Sequence, residues 1–187
     1  MRKLTVFNFV TMNGFFAGPG GDISWHKDND PEKNEYAEEG IESKNTLIFG
    51  RVTYEMMAGF WPSADALKYA PVMAKGMNAA DKIVFSKTLE KADWNNTRLV
   101  NGDMVEEIKK MKQMEGKDMT ILGSGSIISQ LTDEGLIDEY QIMLDPVAIG
   151  EGTPLFKNIR NQLDLKLTDT KIFKSGVILL SYEPIRK

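Results

Sequence analysis

A chain of 187 residues with 42 % hydrophobic content, 27 acidic and 23 basic side chains fits a single domain over residues 1–187. Without cysteine it can form no disulfide framework, thiol nucleophile or cysteine-ligated zinc site, and its single histidine, His26, leaves too few imidazoles for a His-rich metal centre. A net charge of −4 argues against a nucleic-acid partner, and no apolar run approaches the roughly 20 residues that cross a bilayer, so no membrane partner is expected.

Residues 4–10 are aromatic and β-branched on both alternating faces, as a central strand covered from both sides requires. The run is interrupted by Asn8 and lacks a small-residue cleavage site, so it reads as a strand rather than a signal peptide, and the expected location is cytoplasmic. Residues 11–31 show no period and contain several glycines, the pattern of a functional lid loop. A narrow apolar face at Tyr36, Ala37 and Ile41 predicts a helix over 32–44. A buried strand over 46–50 and a helix from Arg51 to at least Met57 come next, with Gly50 at their junction. One helix is expected over 65–78 and a strand over 82–86. Asp103 opens a capping-box-like start to a helix whose stripe is Met104, Ile108 and Met111. A strand over 118–123 leads through Ser124-Gly125-Ser126 into a helix closed near Gly135. A strand over 138–144 and two β-patterned runs, 163–173 and 177–182, complete the chain, the last two joined by the turn Lys174-Ser175-Gly176. Strands alternating with helices and then a hairpin indicate an α/β domain with a mainly parallel sheet and an antiparallel edge.

Open parallel sheets bind ligands beyond the carboxyl ends of their strands, which directs attention to the turns after Phe49, Phe85 and Leu122. Gly50-Arg51, Ser86-Lys87 and Gly123-Ser124-Gly125-Ser126 all offer backbone amides there, and two of them add a cation, a combination suited to a phosphorylated nucleotide. The third turn has the spacing of neither the dinucleotide fingerprint nor the Walker loop, nor is it a Gly-x-Ser-x-Gly elbow, so alone it reads equally as a tight turn.

The combination is more specific. Gly50-Arg51-Val52-Thr53-Tyr54-Glu55 after a short strand, a Gly-rich turn some 70 residues later, Thr11-Met12-Asn13-Gly14 after the first strand, and the run from Ile137 to Phe156 together resemble the dihydrofolate-reductase-like fold. Among its members the sequence is most similar to the reductase domain of bacterial deaminase-reductases, standing without a deaminase domain. That resemblance implies a three-layer α/β fold with helices on both faces, NADPH as cofactor, hydride transfer to a small heterocyclic substrate, and a homodimer. It implies cofactor contacts at Asn13, Gly14, Gly50, Arg51, Thr53, Ser86, Lys87, Gly123, Ser124, Gly125, Ser126 and Ile127. Dihydrofolate reductases often carry arginine where Ser126 stands, a departure that weakens one expected phosphate contact.

On the substrate side the resemblance implies a carboxylate on the helix after the lid. Counting forward from Trp25 reaches Asp30, whereas counting back from Gly50 reaches Asn34 beside Glu35; Asp30 and Glu35 are thus both candidate catalytic acids, and both read equally as helix-capping or solvated carboxylates. No Lys or Arg lies between Arg51 and Lys68 to pair with a folate tail; Phe60-Trp61 stands there instead and, with Trp25, is a candidate wall for a flat ring. His26, after the lid tryptophan, is expected at the surface without a catalytic role. The nearest family activity is reduction of 5-amino-6-(5-phosphoribosylamino)uracil, with dihydrofolate reduction and non-catalytic dinucleotide binding as the competing readings.

Overall fold

Both faces of the first strand are apolar, and both are covered: Leu4, Val6 and Val10 pack into one core cluster, while Phe7 and Phe9 on the opposite face join another. The computed structural model, which describes residues 1–27 and 29–185, shows the reason. This strand, β1 (Leu4–Thr11), lies near the middle of an eight-stranded sheet between two parallel neighbours.

The remaining elements follow in chain order. They are β2 (Phe15–Ala17), a 3-10 turn (Pro19–Gly21), α1 (Pro31–Glu42), β3 (Thr46–Gly50), α2 (Arg51–Phe60), α3 (Ala64–Tyr69), α4 (Pro71–Ala79), β4 (Lys82–Phe85) and β5 (Thr97–Val100). Then come α5 (Met104–Gln113), β6 (Met119–Leu122), α6 (Gly125–Asp133), β7 (Glu139–Asp145), β8 (Thr153–Pro154), β9 (Leu165–Ile172) and β10 (Ile178–Pro184). The sheet order is β5-β4-β3-β6-β1-β7-β10-β9. From β5 to β7 all neighbours are parallel, and β10 runs antiparallel to both β7 and β9.

Alternation along the strands builds the three layers. Ile48 and Ile83 pack with Ile108, Met111, Ile128 and Leu131 of α5 and α6. Leu47, Phe49 and Val84 face the other way, toward Ile41 of α1, Tyr54 of α2 and Met77 of α4. The expected three-layer architecture is therefore the observed one, with its antiparallel hairpin at one edge; Gly176, at φ +85°, turns that hairpin where a side chain would be strained.

Three segments differ from expectation. The single helix predicted over 65–78 is two, α3 and α4, because Pro71 opens a new helix and forces Ala70 to φ −137°, ψ 62°. The segment over 11–31 is not structureless, since β2 within it pairs antiparallel with β8. β5 has no counterpart among the predicted elements: Thr97-Arg98-Leu99-Val100 is a half-exposed edge strand without apolar alternation.

The register decides where a ligand can sit. Gly50 is level with Phe85, and Phe7 with Leu122, so β3, β4 and β6 end along one rim of the sheet beside the middle of β1, and their following turns converge.

Candidate active site

The turns after β3 and β6 are fastened to each other. Gly50 N–H donates to Ser124 Oγ at 2.7 Å, and the Ser124 hydroxyl donates to Thr53 Oγ1 at 3.0 Å. Ser124 and Thr53 are both buried, so this short chain of bonds runs inside the protein and sets one turn against the other.

The β6 turn is shaped by close approach. Gly123 has φ +61°, and a Cβ there would come within 2.9 Å of Thr53 Cγ2. Ser124 also adopts a left-handed conformation, at φ 63°. A Cβ on Gly125 would lie 2.9 Å from the Phe16 ring, so glycine admits the lid segment against the start of α6. The Ile127 amide closes the first turn on the Ser124 carbonyl at 2.9 Å, the Gly125 and Ser126 amides before it have no intrahelical acceptor, and the helix dipole gives this end partial positive charge, so the turn is a cradle for an anion.

Cations border the cradle. Arg51 opens α2 and pairs through Nη1 with Glu55 Oε2 at 2.8 Å, both side chains being about half exposed and the pair correspondingly weak. A ligand phosphate can therefore compete for the guanidinium. Lys87 is exposed after β4, beside Ser86, whose Oγ shapes that turn by accepting from the amides of Thr88 and Leu89.

One cleft collects Gly50, Arg51, Thr53, Ser86, Lys87 and the whole turn Gly123, Ser124, Gly125, Ser126, Ile127, together with Phe60 and Trp61. The last two rings meet edge to face at 5.0 Å, and Trp61 is anchored by its indole N–H on Met57 Sδ. Other expected site residues sit elsewhere. Asn13 exchanges hydrogen bonds with the backbone of Ile149 and, with Gly14 at φ +88°, shapes the turn at the end of β1. Trp25 is buried, its indole N–H donating to the Asp22 carbonyl.

Asp30 is the N-cap of α1, accepting from the amides of Glu32 and Lys33 and, at 2.7 Å, from Ser175 in the distant hairpin turn. The Ser175 amide above all holds its carboxyl below the ordinary value, against the opposing effect of burial. Glu35 points to solvent on the same helix. Of the positions reached by the two counts, Asn34, found by counting back from Gly50, lines the cleft, as do Glu38 and Glu39 further along α1, whereas Asp30 and Glu35 do not.

His26 is a correction. Its side chain is only 6 % exposed, with Nδ1 2.9 Å from Asp145 Oδ2, Nε2 3.1 Å from Lys33 Nζ and the ring stacked on Phe9 at 3.6 Å. Tertiary pairing buries a polar loop residue that its local sequence would leave at the surface. Asn8 also lines the cleft without having been expected there; the available signal was a single amide between Val6 and Val10 on an apolar strand face.

The model for the RibD C-terminal domain matches residues 2–179. The chain belongs to the RibD C-terminal domain family. It is thus a reductase-type domain with a dihydrofolate-reductase-like fold. It is 29 % identical to the uncharacterized protein YyaP of Bacillus subtilis (strain 168) over 182 residues, 97 % of this chain and 94 % of that protein. A Shewanella sp. PV-4 protein named for riboflavin biosynthesis is similar in fold, with TM-score 0.76 and 22 % identity over 98 % of this chain and 99 % of that one. Dihydrofolate reductase from Enterococcus faecalis, whose structure was solved as a complex with NADP(H), has TM-score 0.67 and 17 % identity, covering 98 % of this chain and 97 % of that one. The two glycines whose Cβ atoms would collide, the start of α6 and the bordering Arg51 and Lys87 have the shape and charge to suit phosphate groups.

Proposed function

We propose that the protein is an NADPH-dependent reductase that transfers hydride to a pyrimidine- or pterin-like heterocycle. The observation that carries this reading is the Gly50–Ser124–Thr53 hydrogen-bond chain, which locks two amide-rich turns together at the rim where β3 and β6 end. NADPH, when bound, supplies the hydride. The Gly125 and Ser126 amides at the start of α6 would hold the diphosphate, and Arg51 and Lys87 would supply positive charge for the additional phosphate that distinguishes NADPH from NADH. Phe60 and Trp61 offer one wall to a flat ring, and the segment from β2 to the 3-10 turn excludes water from the meeting of the two rings. Asn34 lines the cleft but carries no titratable proton, so it would not itself supply the proton that accompanies the hydride.

Within this reading, reduction of 5-amino-6-(5-phosphoribosylamino)uracil is the nearest family activity. The commitment of Asp30 to capping α1 weighs against dihydrofolate reduction and motivates the second reading, a non-catalytic dinucleotide-binding protein. The reductase reading carries with it a homodimer and a cytoplasmic location; among the described residues no helix is long and apolar enough to cross a membrane.

The test is titration of the protein with NADPH and NADH at two salt concentrations, following energy transfer from tryptophan to the nicotinamide. Saturable, salt-sensitive preference for NADPH is expected, and Arg51→Ala should weaken NADPH about tenfold, the scale of one charge-assisted contact. Failure to bind either nucleotide refutes the cofactor; unchanged affinity in the variant refutes the placement of the phosphate. Turnover of pyrimidine and pterin acceptors then separates a reductase from a binding protein.

A further inference from the structure

Every second residue of β1 from Leu4 enters the core beside α5 and α6, and Asn8 breaks that apolar series between Val6 and Val10. It is 5 % exposed, a burial that costs free energy unless the amide finds partners for both of its ends. One end has a partner: Gly123 N–H donates to Asn8 Oδ1 at 2.8 Å. A backbone N–H can only donate, so the oxygen must face Gly123, and the orientation of the amide follows from chemistry. The Nδ2 end is thereby aimed away from Gly123, where no described residue accepts from it, although Asn8 lines the cleft.

The location narrows what the missing acceptor is. Pairing between β1 and β6 ends at Phe7 and Leu122, so Asn8 and Gly123 stand side by side where the two strands part. Gly123 begins the turn that leads into α6, two residues before its first amides. A dinucleotide whose diphosphate rested on those amides would carry its nicotinamide one ribose further on, within reach of this parting. Phe7 and Phe9, by contrast, face the opposite layer with Tyr36 of α1. All of these line the cleft, and the amide of Asn8 is set apart from them by its bond to the turn that leads into α6.

We propose that Asn8 reads the nicotinamide ring, its Nδ2 donating to the carboxamide carbonyl and so setting the rotation of the ring about its bond to the ribose. This assignment rests on the NADPH reading above. It requires no charge, and the Gly123 bond fixes the orientation of the donor; because Nδ2 is shielded from solvent, neighbouring side chains must shift to admit the ring. A ligand with the same phosphates but no ring leaves the buried donor unanswered, and the complete cofactor answers it.

The experiment measures two dissociation constants, for NADPH and for 2'-phospho-ADP-ribose, which has the phosphates and lacks the nicotinamide. Asn8→Asp keeps an oxygen for Gly123 and replaces the donor with an acceptor, while the charge it adds acts on both ligands. The readout is therefore the ratio of the two affinities, which should fall about tenfold or more in the variant, the scale of leaving a buried polar pair mismatched. Asn8→Ala, which adds no charge, should lower the same ratio, and thermal melting with 2'-phospho-ADP-ribose confirms that each variant retains the phosphate cradle. An unchanged ratio in a folded variant overturns the assignment. If the wild-type protein binds 2'-phospho-ADP-ribose as tightly as NADPH, the ring gains nothing from Asn8 and the assignment also fails. If the wild-type protein binds neither, the cofactor reading itself is what has failed.

Discussion

Ser124→Ala removes a single buried hydroxyl and with it both bonds that join the β3 turn to the β6 turn. Gly50 N–H loses its acceptor and Thr53 Oγ1 loses its donor. A part-buried amide left in that state costs about 1–2 kcal/mol. In a domain of this size each kcal/mol moves the melting temperature by about 2–4 °C, so the expected fall is about 2–8 °C. Cofactor binding should suffer with stability, because the cradle on α6 and Arg51 on α2 are held in register by this chain; about a tenfold rise in the NADPH dissociation constant is expected. Backbone and hydroxyl can be separated. Ser124 sits at φ 63°, a conformation that costs a residue with a Cβ about 1 kcal/mol and glycine almost nothing. Ser124→Gly should therefore melt above Ser124→Ala while binding NADPH no better. Combining Ser124→Ala with Thr53→Val should cost less than the two single losses together, because they share one bond. Differential scanning calorimetry and the fluorescence titration supply the measurements. Wild-type melting temperature and wild-type affinity in Ser124→Ala would refute the lock, leaving the two turns held by side-chain packing alone.

Asp30 gives a prediction with a defined pH window. Its carboxyl is held below the ordinary value of 3.8, first by the Ser175 amide, so the unfolded chain binds its proton more tightly than the folded one. The stabilisation is full above that ordinary value and disappears as pH falls through the lower folded one; Asp30→Asn should melt below wild type at neutral pH and converge with it in acid, whereas parallel curves would contradict the assignment. The homodimer is checked by light scattering, which should return twice the mass of the chain; β9, with Leu167 and Ile172 exposed at the edge of the sheet, is the face to perturb first, and a single-chain mass would refute the expectation.

How far the chain can be read depends on the range of the interactions concerned. Asp103 caps α5 as expected, accepting from the amides of Val105 and Glu106, because a cap is decided within a few residues. β3 and β6 are legible as apolar runs ended by glycine, and their turns show themselves as candidate phosphate sites. Pro71 is visible too, yet the helical periodicity on either side conceals the break it makes. β5 escapes because an edge strand buries too little to impose a pattern. The choice between Asp30 and Glu35 shows the same limit from the other side. Both are carboxylates beside a helix start, and only the hairpin turn bringing Ser175 against Asp30 reveals that one of them caps and fastens α1.

The sequence by itself determines most of the elements, the mainly parallel sheet and the anion-suited turns after β3, β4 and β6, since these are written in local spacing and residue type, while the reductase-like class comes from resemblance to a known family. Tertiary structure alone decides which of the candidate residues meet. Ser124 reaches Gly50 across 74 positions, Asn8 reaches Gly123 across 115, and His26 is buried by Asp145 across 119. Each pairing depends on strand order and register, which place β1 beside β6 and β6 beside β3, and no local pattern encodes the distance between residues on different strands.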